Sequence, residues 1–256
     1  MTIAKADYIE GLAKGLAVLE AFDTERQRLN ATLAAQRTGI TRAAARRHLL
    51  TLADLGYLDT DGSHYWLSAR VLRLAGSYMA TSRLPRTLQP TLNRLAAQTQ
   101  AAFSAVVRDG DECVIVARSA GVAEPVRHLA YGLHLGARLP AHATSTGRVL
   151  LASLPKAEFA AWLKGRELAR ITPQTEVNAT RFKALIEQVR QADHCLARDG
   201  HELGIHALAV PLRNMQGQTL AALNVVGTAE QLSDAAVQRQ WLPLLLEAAR
   251  ELRPLL

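Results

Sequence analysis

The chain has 256 residues, 49% of them hydrophobic, with 30 Lys and Arg against 23 Asp and Glu for a formal net charge of +7. That length can bury a substantial core and leaves room for two domains. No run approaches the roughly 20 apolar residues needed to span a bilayer, and the opening MTIAKADYIEG has no apolar signal core, so a cytoplasmic protein with no membrane partner is expected. Two cysteines, Cys113 and Cys195, form no CxxC pair and have no histidines at ligand spacing beside them. They read as buried thiols, and no disulfide framework, metal site or cofactor is indicated.

Taken in chain order, Thr32 to Tyr57 reads as helix, short turn and second helix. The first helix starts near Thr32 and ends at Thr38, Gly39 permits a sharp turn, and Thr41 is placed to cap the next helix. If Leu52 centres the buried face and each residue turns about 100°, Ala45, His48 and Leu49 lie inward while Ala43, Arg46, Arg47 and Leu50 point outward. Short side chains beside guanidinium forks suit close approach to guanine edges, and Arg42 on the flank suits phosphate. Between Arg26 and Leu50 there are six arginines and no acidic residue, a local field far more positive than the chain average. This is the pattern of a DNA reader.

Two β-prone runs, Tyr57 to Asp59 and Ser63 to Leu67, flank the hairpin-forming pair Asp61-Gly62, which predicts a wing. His64 and Tyr65 are expected near its tip, touching phosphate or the minor groove, unless the aromatic ring packs across the strands. Leu67 to Met79 has apolar residues at helical spacing. It predicts a connector helix whose stripe packs on its own domain or on a second copy, with the proline of SRLPR ending the pattern. The expected division is 1–68 reader, 69–85 connector and 86–256 a larger domain.

In that larger domain a helix is expected from Pro90 to about Gln100. Strands follow near Phe103 to Arg108, Glu112 to Arg118 and Val126 to Leu135, then helices at Thr144 to Ala152, Lys156 to Lys164 and Ala179 to Gln191. Further strands at His194 to Arg198, His206 to Arg213 and Thr219 to Val226 precede a closing helix from Asp234 to Leu252. That order gives an α+β domain, one antiparallel sheet with flanking helices. Within ARLPAHATSTGRVLLASLP, Thr144, Ser145 and Thr146 fall at a helix start, where free N–H groups, hydroxyls and the helix dipole favour a carboxylate; simple N-capping by one hydroxyl is the plainer alternative. His142 precedes Ser145 by three residues, but no GxSxG elbow or oriented acid accompanies them, so no catalytic residue is expected. His201 and His206, five apart around Glu202, lack a convincing third ligand for a metal.

The whole chain resembles the IclR family of transcriptional regulators, in which a winged helix-turn-helix domain precedes a GAF-like effector-binding domain. The resemblance rests on GLAKGLAVLEAFD at residues 11–23, TGITRAAARRHLLTLADLGYL, RLPAHATSTGRVLLASLP, ELGIHALAVPLRN at residues 202–214 and ALNVVG at residues 222–227. TRAAARRHLLTL is especially similar to the PcaU/PcaR/PobR-like subgroup. It implies a non-enzymatic, ligand-responsive activator of aromatic-acid catabolic genes that senses an aromatic carboxylate such as 4-hydroxybenzoate or protocatechuate. A non-aromatic acid, namely β-ketoadipate, pyruvate or glyoxylate, is the alternative effector. It further implies a homodimer or dimer of dimers on double-stranded operator DNA, with RNA polymerase as a possible partner. The DNA-binding set is then Thr32, Thr41, Arg42, Ala43, Arg46, Arg47 and His64. The effector set carried over from the family is His128, Tyr131, Ser145, Thr146, Ala207 and Asn224, with Ser145 and Thr146 on the carboxylate, Tyr131 against the ring and His128 or Asn224 on a ring hydroxyl. Near HCLARDGHELG, Arg198 stands where the family usually has an acidic residue. Strand alternation places it opposite Ala197, which matches a pocket position.

Overall fold

The computed structural model describes residues 4–23, 26–119 and 134–256. Its contacts divide into two compact units, Met1–Thr81 and Ser82–Leu256.

In the first unit, α1 (Glu10–Glu20), α2 (Ala31–Thr38) and α3 (Arg42–Asp54) precede a hairpin of β1 (Leu58–Thr60) and β2 (Tyr65–Leu67), and α4 (Leu72–Thr81) follows. The turn between α2 and α3 forms as its residues dictate. Asn30 accepts from the Thr32 and Leu33 amides to start α2, one residue earlier than expected. Gly39 adopts φ 70°, and the Thr41 hydroxyl accepts from the Ala44 amide to cap α3. Val18, Phe22, Leu29, Ala34, Ala45, Leu49, Leu58 and Tyr65 make the core. Tyr65 therefore does not reach the wing tip. It is buried, and its backbone exchanges hydrogen bonds of 2.8 and 2.9 Å with Leu29, adding a third extended segment beside the hairpin. Helix α4 buries none of its residues and leaves Leu72, Leu74 and Tyr78 exposed.

The connector pattern ends at Thr81, just ahead of SRLPR, and the second unit begins with α5 (Arg83–Thr99), which starts seven residues before the helix expected from Pro90. Pro85 falls in the first turn, where an N–H has no intrahelical acceptor, and Pro90 lies inside the helix. Burial of Leu88, Leu92, Leu95 and Ala96 on one side outweighs the roughly 3 kcal/mol that an interior proline costs, since each large apolar side chain contributes about 1.5–3 kcal/mol. Among the described residues six antiparallel strands follow in the order β5-β4-β3-β8-β7-β6: β3 (Ala102–Asp109), β4 (Glu112–Arg118), β5 (Arg138–Pro140), β6 (Cys195–Arg198), β7 (Ile205–Arg213) and β8 (Thr219–Thr228). The expected strand from Val126 lies mainly outside the described residues. Leu135 at its end is in a turn.

Period-two alternation gives this sheet two faces, each with its own core. Phe103, Ala105, Leu208, Val210, Leu223 and Val225 pack with α5 and with α9 (Leu242–Leu252). Val106, Ile115, Ala209 and Ala222 pack with α6 (Ser145–Ala152), α7 (Lys156–Leu163) and α8 (Ala179–Ala192). The register shifts between Ala105 and Val106, leaving Val116 without a partner, and this bulge turns β4 over: Cys113 and Ile115 join one core, Ala117 the other. The closing helix is interrupted by a π-helical segment, Val237–Trp241, ahead of α9. Cys113 and Cys195 are buried free thiols. Among the described residues no helix is long and apolar enough to cross a membrane.

Candidate functional site

On α3, Ala45 and Leu49 are buried, Ala44 and His48 are half-buried, and Arg42, Ala43, Arg46, Arg47 and Leu50 are exposed, as the 100° progression requires. The arginines of this region separate by use. Arg28 lies over the Trp66 ring, 4.2 Å from its centroid, and meets Asp61 at 3.3 Å; Arg37 is paired with Asp23. Arg42, Arg46 and Arg47 have no carboxylate partner among the described residues. Three free guanidinium groups on one exposed helix face can approach a polyanion without first breaking an ion pair.

The Thr41 side chain is occupied as a cap, so its contact with DNA would be secondary. Thr32 is exposed at the start of α2. At the wing, the Asp61 carboxylate accepts from the Ser63 amide at 3.0 Å, the Ser63 hydroxyl at 2.9 Å and the His64 amide at 2.8 Å. These bonds, with Arg28 beside them, hold its pKa down to about 2. They tie down a tight turn with Gly62 at φ 93°, and the half-exposed His64 ring meets the Ser63 hydroxyl at 2.9 Å.

In the second unit a cavity opens between α6 and the β6–β7–β8 side of the sheet. Ser145, Thr146, Ala207 and Asn224 line it together; His128 and Tyr131 lie outside the described residues. Thr144 supplies the cap of α6, its hydroxyl accepting from the Gly147 amide at 3.2 Å. Ser145 is thereby left uncommitted. Its Oγ and the Asn224 Oδ1 are buried with no hydrogen-bond partner among the described residues, an arrangement that costs free energy unless something fills the cavity. Gly147 lets the helix start sit against Ala141, whose carbonyl oxygen would lie 2.1 Å from an added Cβ.

The carried-over set did not include Leu139, Ile205, Val226, Gly200, His201 and Glu202, which also line the cavity. Period two offered a signal for two of these, because Ile205 shares the face of Ala207 and Val226 that of Asn224. The loop bearing Gly200 to Glu202 is clamped from behind: the Thr172 hydroxyl donates to the Asp199 carbonyl at 2.6 Å and the Thr175 hydroxyl to the Gly200 carbonyl at 2.7 Å. His201 lies in the wall, and burial lowers its pKa. His206 faces Asp199 instead, at 3.7 Å. Ala197 lines the cavity while the exposed Arg198 pairs with Asp234, so the arginine points away from it. His142 donates from Nε2 to the Ala169 carbonyl at 2.8 Å and packs edge-on to Phe182. Its Nε2 is thereby committed to the backbone.

The helix-turn-helix model of the IclR family matches residues 11–62, and the model described as "Bacterial transcriptional regulator IclR C-terminal" matches residues 76–253. The chain is 50% identical over 254 residues to the p-hydroxybenzoate hydroxylase transcriptional activator of Acinetobacter baylyi, covering 99% of this chain and 94% of that protein. It is 46% identical, again over 254 residues, to the Pca operon regulatory protein of the same organism, covering 99% and 91%. The solved inducer-binding domain of the PobR transcription factor from Acinetobacter, a double mutant in complex with 3-hydroxybenzoic acid, superposes with a TM-score of 0.61 at 44% identity, over 67% of this chain and 98% of that one. The two family models, with relatives 50% and 46% identical along almost the whole chain, show that the chain belongs to the IclR family of transcriptional regulators.

Proposed function

We propose that this regulator senses an aromatic carboxylate such as 4-hydroxybenzoate or protocatechuate and activates genes of aromatic-acid catabolism. The observation that carries the reading is the pair of buried atoms without a hydrogen-bond partner among the described residues, Ser145 Oγ at the start of α6 and Asn224 Oδ1 on β8, in a cavity whose apolar wall is Leu139, Ile205, Ala207 and Val226 and whose rim carries His201 and Glu202. Ser145 and Thr146, with the N–H groups of the helix start, receive the carboxylate, and Asn224 accepts from a ring hydroxyl. The functions of these relatives point the same way. The cavity volume is about 70 Å³, so the ring parts the walls on entry, and the difference in affinity between arrangements is what shifts the reader.

Thr32, Thr41, Arg42, Ala43, Arg46, Arg47 and His64 contact operator DNA, with Arg46 and Arg47 at base edges and Arg42 on phosphate. One short reader sees too few base pairs for genomic specificity, so the working unit is a homodimer or dimer of dimers; the exposed Leu72, Leu74 and Tyr78 of α4 offer it an apolar face. The division into reader, connector (69–85) and sensor follows from this. The site of action is the cytoplasm, and RNA polymerase is the partner through which an activator acts.

Calorimetry with 4-hydroxybenzoate, 3-hydroxybenzoate, protocatechuate, β-ketoadipate, pyruvate and glyoxylate tests the sensor. Saturable binding of a hydroxybenzoate or protocatechuate, weakened by Ser145→Ala and Thr146→Val, is the expected result. Binding confined to β-ketoadipate, pyruvate or glyoxylate would overturn the aromatic assignment, and binding of none would overturn the effector reading.

A further inference from the structure

Arg148 is only 6% exposed, one turn into the helix whose start lines the cavity. Its Nε donates to the His142 carbonyl at 2.9 Å, and its terminal Nη2 lies 3.4 Å from where a Cβ of Gly200 would stand, next to the Ala143 carbonyl. Gly200 and Ala143 both line the cavity. The guanidinium thus sits directly behind the cavity wall, one backbone thickness from the space the wall encloses. Gly200 permits this approach, since an added Cβ would meet the Ala143 oxygen at 2.7 Å.

No carboxylate pairs with Arg148 among the described residues. Asp199, next to Gly200, is turned to the Gly204 amide at 2.7 Å and towards His206, and Glu202 is exposed. Two other groups near the guanidinium supply no negative charge. Burial raises the Cys195 thiol despite the arginine beside it, and burial lowers His142, so the first remains a thiol and the second a neutral imidazole. Arginine does not shed its proton in proteins. A buried cation without a counter-ion is costly, and an anion placed across the wall relieves that cost.

We infer that Arg148 determines the sensor's preference for anionic effectors, acting by charge through the Ala143–Gly200 wall without touching the ligand. It is a positioning and specificity residue, distinct from the hydroxyl contacts of Ser145 and Thr146. The inference rests on the carboxylate reading above.

The test compares 4-hydroxybenzoate with the neutral isostere 4-hydroxybenzamide by calorimetry on the full-length protein and on Arg148→Met and Arg148→Lys. In Arg148→Met the acid is expected to lose on the order of tenfold in affinity, the scale of one charge acting across a protein wall, while the amide is unchanged. Arg148→Lys, which keeps the charge, should keep the acid-to-amide ratio near that of the parent. Equal losses for acid and amide in Arg148→Met, or a collapsed ratio in Arg148→Lys, would overturn the assignment. If Arg148→Met does not fold, Arg148→Gln, which keeps an N–H donor for the His142 carbonyl, is read by the same ratio. Failure of the parent protein to bind either compound would instead remove the effector reading on which the inference stands.

Discussion

Replacing Ser145 by alanine should move two measurable quantities in opposite directions. The Ser145 hydroxyl is 1% exposed and has no hydrogen-bond partner among the described residues. Leaving a buried polar group unsatisfied costs about 1–3 kcal/mol, so removing the oxygen should stabilise the effector-free protein by about 1 kcal/mol after the loss of its packing is offset. For a domain of this size that raises the Tm by roughly 2–4 °C. In the complex the same hydroxyl donates to a carboxylate, and a hydrogen bond to a charged group contributes about 1.5–3 kcal/mol, so the Kd for 4-hydroxybenzoate should rise about ten- to a hundredfold. Thermal unfolding with and without the acid, together with calorimetry, reads both effects. A variant that melts lower when empty and binds the acid unchanged would refute the reasoning, because its hydroxyl would then belong to the scaffold.

Arg46→Ala should weaken operator binding by about 1–3 kcal/mol with relaxed base preference, whereas Arg42→Ala should lower the slope of log K against log salt by about 0.9. Fluorescence anisotropy over a salt series separates the two, and effector affinity should stay intact in both; equal loss of DNA and effector binding would contradict the division of labour. Gly147→Ala should cost about 2 kcal/mol or more, because the new Cβ meets the Ala141 backbone at 2.1 to 2.6 Å; a Tm within a degree of the parent would show that the α6 start can shift freely. Asp61, whose folded pKa of about 2 lies below its ordinary 3.8, contributes wing stability that is present above about pH 4 and lost as the pH falls towards 2. Its carboxyl resonance should titrate with a midpoint near 2, and a midpoint near 4 would mean the turn bonds do not persist in solution.

The reader was legible almost to the residue, because helix caps, a turn glycine and a 3.6-residue period are local signals. Thr41, Gly39 and the inward set of Ala45 and Leu49 declare themselves within one turn of chain. Sheet alternation was equally local, and it placed Arg198 opposite Ala197. What escaped was decided by contacts distant in sequence. Pro85 reads as the end of one helical pattern and Pro90 as the start of the next, yet α5 begins at Arg83 and runs through both because its apolar side is covered by the sheet and α9. Tyr65 reads as a wing-tip aromatic, yet pairing with Leu29, more than thirty residues earlier, draws it into the core. In the cavity, the helix-start hydroxyls were visible as chemistry, but which of them caps and which stays free depended on rotamers: Thr144 takes the cap and Ser145 is released. The wall residues Gly200 to Glu202 came from a loop whose position is set by Thr172 and Thr175, about 25 residues upstream, beyond the reach of any local period.

The two thiols make the sensor its own stopwatch. Cys113, fully enclosed in β4, has its pKa pushed up to about 12, so at pH 7 only about one molecule in 100,000 carries the thiolate that alkylating and oxidising reagents require. Cys195, on the edge strand β6, is likewise raised by burial. Their modification therefore records how often each side of the sheet comes apart, not the reactivity of a surface group. Because β4 and β6 are separated in the sheet by β3, β8 and β7, an effector that tightens only the β6–β8 side would slow the labelling of one thiol and leave the rhythm of the other unchanged.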